Sequence, residues 1–334
     1  MDATVISNSN STPKYRTFEH KDTCEKGIEI EGWRVTTRKD RIYNSEEIDS
    51  ILNETKMPQV PEMYFGFNHI TIENTKTNVK WSYNTNDAFR KVQINLKENE
   101  NWIKVAVADK WNASRNSKEE EEKKKIHRPY DWTFSTDFRG KIENTEAEIT
   151  KEKIDMTKLM RRDPILFFDQ VILYEDELAD NGIATLDVKV RVMPTGIFVL
   201  GRYFLRIENV LFRSNETRVY VEFNKGYMLS EYFSRELPYE DIKNALPKPK
   251  LWESEERQKL KEVKMFADSN WVSSMLTNKD HPSIMKVSDK IIDQTIELET
   301  GPNNNKILDS EKLNLPRSKF GNGNIGYIVF EKIQ

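Results

Sequence analysis

The stretch from Pro164 to Phe223 constrains the fold more than any other part of the chain. Runs of β-branched and aromatic residues are broken by turn signals at Asp180-Asn181-Gly182, Pro194-Thr195-Gly196 and Arg213-Ser214-Asn215. That pattern predicts consecutive antiparallel strands. Along Asp187–Met193 the alternation is strict, with Val188, Val190 and Val192 on one face and Lys189 and Arg191 on the other. Along the next strand Val199, Tyr203, Leu205 and Ile207 share a face, and Leu200, Arg202, Phe204, Arg206 and Glu208 share the opposite one. Arg213 and Arg218 follow. If these strands are neighbours, one sheet surface mixes guanidinium groups with aromatic rings. Such a surface either pairs its arginines with Glu175, Glu177 or Glu208, or offers a groove for a carboxylate-bearing peptide, because the planar guanidinium fork matches a carboxylate.

The remainder of the chain is more polar. Charged residues make up 32% of its 334 positions and mean hydropathy is −0.75, so an ordered body with solvated tails or inserts is expected. Residues 1–25 read as a flexible N-terminal tail, 26–275 as one domain with a charged insert near 113–127, and 276–334 as a polar, partly disordered extension. Within the domain, Gly32–Thr37 reads as a strand and Ser45–Leu52 as a short helix capped by Asn44 or Ser45. Met57–Met63, with two prolines, reads as an extended surface segment. His69–Ile72 and Asn78–Tyr83 form a predicted hairpin, followed by a helix from Asn84 towards Val92. Trp102–Ala108 reads as a strand, Asp131–Gly140 with Ile142–Ile149 as a second hairpin, and Asp155–Arg162 as a helix with Met156, Leu159 and Met160 on one side. Pro238–Ala245 and Ser254–Phe266 read as helices.

Several function classes find little support. A net charge of −3 and a pI near 6.0 argue against a dedicated nucleic-acid binder. The single cysteine, Cys24, forms no disulfide within the chain and fits a reducing compartment. With no secretory leader and no long apolar run, a soluble cytoplasmic protein, with the nucleus as a second location, is expected and no membrane association. Gly321-Asn322-Gly323-Asn324-Ile325-Gly326 satisfies a dinucleotide fingerprint but lacks room for the helix that must follow it. His20, His69, His127 and His281 are scattered, and no nucleophile sits in a recognisable setting, so no cofactor, metal or catalytic residue is assigned. The carboxylates Glu175, Asp176, Glu177 and Asp180 keep a metal-dependent hydrolase as one alternative; a scaffold acting through its tails is another.

Several blocks together carry a resemblance. Met57-Pro58, Pro61-Glu62-Met63 and Phe65-Gly66 form one. Pro129-Tyr130-Asp131-Trp132-Thr133 with Thr136-Asp137-Phe138 and Gly140 form a second. Leu166-Phe167-Phe168, Glu175-Asp176-Glu177-Leu178, Val188–Met193, Arg202 and Phe204-Leu205-Arg206 complete the set. In this order and spacing, from about Gly32 to Phe223, the chain resembles the TIPRL (Tip-forty-one-like) family of TOR-signalling regulators. Asp268-Ser269-Asn270-Trp271-Val272 is similar to the C-terminal region of fungal members. The resemblance implies an α+β fold of two packed antiparallel β-sheets with a few short peripheral helices. It implies a non-enzymatic protein that binds the catalytic subunit of type 2A and related Ser/Thr phosphatases, with or against the Tap-forty-two/alpha-four adaptor. It places phosphatase contacts at Asp87, Ile154 and the expected turn Ser214–Glu216, where Glu216 stands in place of a shorter Asp. With the pattern of basic residues, the candidate partner-binding set is Asp87, Ile154, Lys189, Arg191, Arg202, Phe204, Arg206, Ser214 and Glu216.

Overall fold

The structure is a computed structural model and describes residues 13–92, 103–104, 125–126, 130–145, 147–149, 152–225, 227–247, 254–277 and 326–330. In chain order its first strands are β1 (Tyr15–His20), β2 (Glu25–Ile30) and β3 (Trp33–Arg38), followed by helix α1 (Ser45–Thr55). Next come β4 (Met63–Tyr64), β5 (His69–Asn74), β6 (Lys80–Asn84) and α2 (Thr85–Phe89). Short strands β7 (Ile103–Lys104), β8 (Lys125–Ile126), β9 (Lys141–Glu143) and β10 (Ala147–Ile149) precede α3 (Met156–Leu159). The long strands are β11 (Phe167–Asp176), β12 (Gly182–Met193), β13 (Gly196–Ile207), β14 (Leu211–Glu222) and β15 (Met228–Pro238). Helices α4 (Tyr239–Asn244), α5 (Glu255–Ala267) and α6 (Ser269–Thr277) follow, and β16 (Gly326–Phe330) is the last described element.

Two large antiparallel sheets result, one of six strands in the order β1-β2-β3-β5-β6-β9 and one of eight in the order β10-β16-β15-β14-β13-β12-β11-β4, and β7 and β8 pair separately. The α+β architecture of two packed sheets with short helices is therefore observed. Their facing surfaces share one core: Ile28, Val35, Ile70, Ile72 and Trp81 from the smaller sheet meet Val171, Leu186, Val188, Val190, Val199, Leu205 and Val219 from the larger. Each buried aliphatic side chain contributes about 1.5–3 kcal/mol relative to exposure. Asp169 of β11 adds a polar tie, accepting a 2.7 Å hydrogen bond from Thr37 of β3 and facing Lys26 and Lys39.

Local chemistry explains the elements that sequence pattern located. Asn44 caps α1 in a reciprocal box: its side chain accepts from the Glu47 N–H, and the Glu47 carboxylate accepts from the Asn44 N–H. Asn84 does the same work for α2 by accepting from the Asp87 N–H at 2.8 Å.

Other expectations need correction. Tyr15–His20, placed in a flexible tail, is an edge strand in full register with β2. Met57, in a segment expected at the surface, is buried. Arg213-Ser214-Asn215 is not a turn but lies inside β14; the chain reverses at Glu208-Asn209-Val210, with Asn209 in the left-handed region. The polar residues serve burial contacts: Ser214 Oγ meets Ser273 Oγ, and Asn215 Nδ2 donates to the Thr136 carbonyl. The hairpin expected over residues 131–149 does not form. Lys141–Glu143 joins β6 in one sheet, and Ala147–Ile149 joins β16 in the other.

Residues 131–138 are instead an irregular, largely buried segment held by tyrosines of both sheets. Tyr174 donates to the Phe134 carbonyl and Tyr203 to the Thr133 carbonyl, both at 2.7 Å, and Tyr83 donates to the Phe138 carbonyl at 3.0 Å. A buried segment without strand partners needs donors of this kind. In the helix expected at 155–162 only Met156–Leu159 is helical and only Leu159 is buried, while Met156 and Met160 are exposed. Of the strand at Trp102–Ala108, Ile103 and Lys104 are described and pair with Ile126 and Lys125. The rest of the charged insert, residues 1–12, most of 276–334 and the glycine motif before Gly326 lie outside the described residues.

Candidate partner-binding surface

The outer face of the eight-stranded sheet carries the arginine pattern. Register aligns its side chains in rows across the strands. Phe168, Arg191, Phe198, Tyr220 and Leu229 form one row, and Gln170, Lys189, Leu200, Arg218 and Glu231 the next. Ile172, Asp187, Arg202, Glu216 and Phe233 form a third. Thr185, Phe204, Ser214 and Arg235 form a fourth, and Ile183, Arg206, Phe212 and Leu237 a fifth.

The ends of this face are covered, and the middle is exposed only towards β11, since Arg202, Glu216, Glu231 and Phe233 are buried. At one end Ile154 and Leu159, from the α3 segment, pack on Tyr220 and Leu229. At the other, Phe204, Phe212 and Leu237 pack beneath Tyr239, Ile242, Phe266, Val272 and Leu276 of α4–α6. The second and third rows lie between these covered ends, in a stretch termed the trough. Rows repeat about every 7 Å along strands, so about 20 Å separates the first row from the fourth, enough for one extended chain. Towards β11 the trough is open: Phe168 and Ile172 are 55% and 39% exposed, and Lys189 and Arg191 are half-buried. Ile165 and Met160 add exposed apolar surface before β11 and after α3.

A buried ionic cluster forms the floor. Glu216, 2% exposed, accepts from Arg202 Nε at 2.9 Å and from Arg218 Nη2 at 2.7 Å. Arg202 Nη1 also reaches Ser269 Oγ at 3.2 Å and Asn270 Oδ1 at 2.8 Å, tying the start of α6 to the sheet. Arg218 and Arg235 stack on the Phe233 ring at 4.5 and 4.7 Å. Burial by itself would raise the Glu216 carboxyl, but Arg202 and Arg218 outweigh it and hold it below its ordinary value. Glu231 shows the reverse. Burial dominates and raises its carboxyl, despite a 2.7 Å hydrogen bond from the Ile154 N–H and the nearby charges of Arg218 and Lys153.

The nine candidate residues therefore divide. Lys189 and Arg191 lie at the open side, Lys189 beside Asp187 at 3.3 Å and Arg191 donating to the Leu159 carbonyl at 2.9 Å. Arg202 is in the floor at 5% exposure, and Arg206 pairs with Glu208 at 2.8 Å near the covered end. Phe204, Ser214, Glu216 and Ile154 are buried in the free chain and lie beneath this surface. Asp87 is elsewhere, on α2 after β6, its carboxylate bonded to Arg90 and Asn84 at 2.7 Å each.

The exposed Phe168 and Ile172 were missed from sequence. Phe167–Leu173 places apolar residues on both faces of the strand, in runs broken by Asp169-Gln170, which hides the two-residue period that would have exposed them. The acidic run has a structural use: Asp176 accepts from the Leu178 N–H at 2.6 Å and the Glu62 N–H at 3.1 Å. Among the described residues no group of three or more His, Cys, Asp or Glu is arranged to hold a metal, and no helix is long and apolar enough to cross a membrane.

A profile of the TIP41-like family matches residues 63–243, more than half the chain and all of the long strands. The chain belongs to the TIP41-like family. It is 39% identical to the human TIP41-like protein over 232 residues, which cover 68% of this chain and 81% of that protein. It is 36% identical over 263 residues to a Saccharomyces cerevisiae protein named type 2A phosphatase activator TIP41, covering 74% and 70% of the two chains. The Schizosaccharomyces pombe protein of corresponding name is 31% identical over 75% of this chain and 93% of its own. The yeast relatives are thus named as activators of a phosphatase, a regulatory description.

Proposed function

We propose that this TIP41-like protein is a non-catalytic regulator that binds the catalytic subunit of a type 2A Ser/Thr phosphatase, in TOR signalling. The reading is supported by family membership and by the names of the yeast relatives. The observation that carries the binding mode is the trough, open at β11, where Lys189 and Arg191 stand beside exposed Phe168 and Ile172. An extended phosphatase segment, its C-terminal tail with its free carboxylate, lies along it. The lysine and arginine meet the carboxylate, and the apolar side chains supply desolvated contact area. The helices over Phe204 and the Arg202–Glu216–Arg218 cluster fix the trough's shape. Joint or competing binding of the alpha-four type adaptor, and a cytoplasmic location, belong to the same reading.

A titration of a phosphatase tail peptide against the full chain tests it. Lys189→Glu with Arg191→Glu reverses two half-exposed charges and leaves the buried cluster intact, so the fold is retained and affinity falls at least tenfold. Unchanged affinity in that folded variant overturns the trough assignment. Charge reversal at Arg202 is unsuitable, because it would place a second carboxylate against buried Glu216.

A further inference from the structure

We propose that Arg139 anchors a binding site for a small oxyanion, of the phosphate or carboxylate class, apart from the outer-face trough. Arg139 ends the irregular segment that the tyrosines hold, and it is only 7% exposed. Its Nε and Nη1 are buried and have no hydrogen-bond acceptor. The guanidinium stacks on the ring of Tyr232 of β15, 4.2 Å from the centroid. Asp137 acts on it electrostatically but gives neither nitrogen an acceptor.

A third orphan donor lies alongside. Trp81 of β6 is 1% exposed, and its Nε1 has no acceptor. The indole rests against Gly140, where an added Cβ would come within 2.3 Å of Nε1 and where φ is +94°. Glycine thus lets the chain turn beside the indole immediately after Arg139.

A buried guanidinium without an acceptor is unfavourable, and an oxyanion is the ligand that removes the cost. Arg202 shows the alternative in this same chain, meeting Glu216, Ser269 and Asn270. At Arg139 the unpartnered Nε and Nη1, with Trp81 Nε1 beside Gly140, favour a negative charge over a neutral ligand, and Asp137 offsets part of that preference.

The test uses the full chain with inorganic phosphate and acetate as separate probes, against chloride at matched ionic strength and pH. Calorimetric titration gives affinity, and thermal unfolding gives the shift in Tm. At a probe concentration well above its Kd the wild type gains about 2–4 °C or more. Arg139→Met, which removes the orphan charge, shows no gain and at least tenfold weaker binding. Arg139→Lys, should the methionine variant fold poorly, keeps the charge and binds weakly. The ratio of phosphate to acetate affinity assigns the class. Absence of binding by the wild type to both probes, or an equal gain in wild type and variants, overturns the proposal.

Discussion

Val188, Val190, Val199, Leu205, Val219 and Val221 on the inner face of the eight-stranded sheet are all fully buried, whereas the outer face of the same strands carries Asp187, Lys189, Arg202, Glu216 and Arg218. Both faces bury side chains, but by different physics. Within, area removed from water stabilises the packing without direction. Outside, Arg202 and Glu216 are buried as charges beside a partly exposed Arg218, and the three depend on one another's geometry, so the loss of one member leaves the others uncompensated. The inner face closes the two sheets on each other, and the outer face holds a polar surface, the one proposed to meet a partner.

The largest expected effect breaks the outer face. Glu216→Ala leaves two guanidinium groups facing each other and should cost about 3–5 kcal/mol in urea unfolding. Leu205→Ala on the inner face costs a comparable ~2–5 kcal/mol through its cavity. The two are told apart by pairing. Arg202→Ala with Glu216→Ala should cost less than the sum of the single variants by about 1–3 kcal/mol, because the partners are in contact. A strictly additive pair would show that the cluster is not a unit. Next in size is Tyr174→Phe, which removes the donor to the Phe134 carbonyl and should cost about 1–3 kcal/mol. A loss much below that range would mean that the irregular segment does not depend on the tyrosines.

How far sequence reads this comparison depends on the period. The valines of β12 and the opposed Lys189 and Arg191 are assigned correctly, because strict alternation leaves one register consistent with burial. The Asn44–Glu47 box locates α1 for the same local reason. What fails is non-local. Ser214 and Asn215 look like a turn, since polar residues usually mark one, yet they bond to Ser273 and Thr136, distant in sequence. Tyr15–His20 looks unstructured because an edge strand needs little apolar surface. Arg202 looks available for a partner until the β13–β14 register puts Glu216 directly opposite it. The candidate surface was therefore legible as a basic strand face, but the division between its buried floor and open side follows from helices whose docking no local pattern encodes.

The smallest effect sharpens the outer face itself, through its two buried carboxylates. Glu216 is held below its ordinary value in the folded state, so its contribution is present above the unfolded pKa and is lost as pH falls through the folded one. Glu231 is raised, so the native state binds its proton more tightly than the unfolded chain. Its effect is absent well below the unfolded pKa and grows unfavourable as pH rises towards the folded value. The two glutamine variants should therefore differ from wild type with opposite slopes. The cost of Glu216→Gln increases with pH from the acid side to a plateau above the unfolded value. Glu231→Gln keeps an acceptor for the Ile154 N–H and removes the buried charge, so it becomes more stable relative to wild type as pH rises above about 4.5. Its effect should remain within about 1 kcal/mol at neutral pH, since one charge-assisted bond is weakened while one desolvation penalty is relieved. Urea unfolding of the three proteins across pH 4 to 8 measures both slopes (a window of about four pH units around ordinary carboxylate values). Parallel slopes would mean that Arg218 serves both carboxylates alike and that the contrast between them is not built into the trough floor.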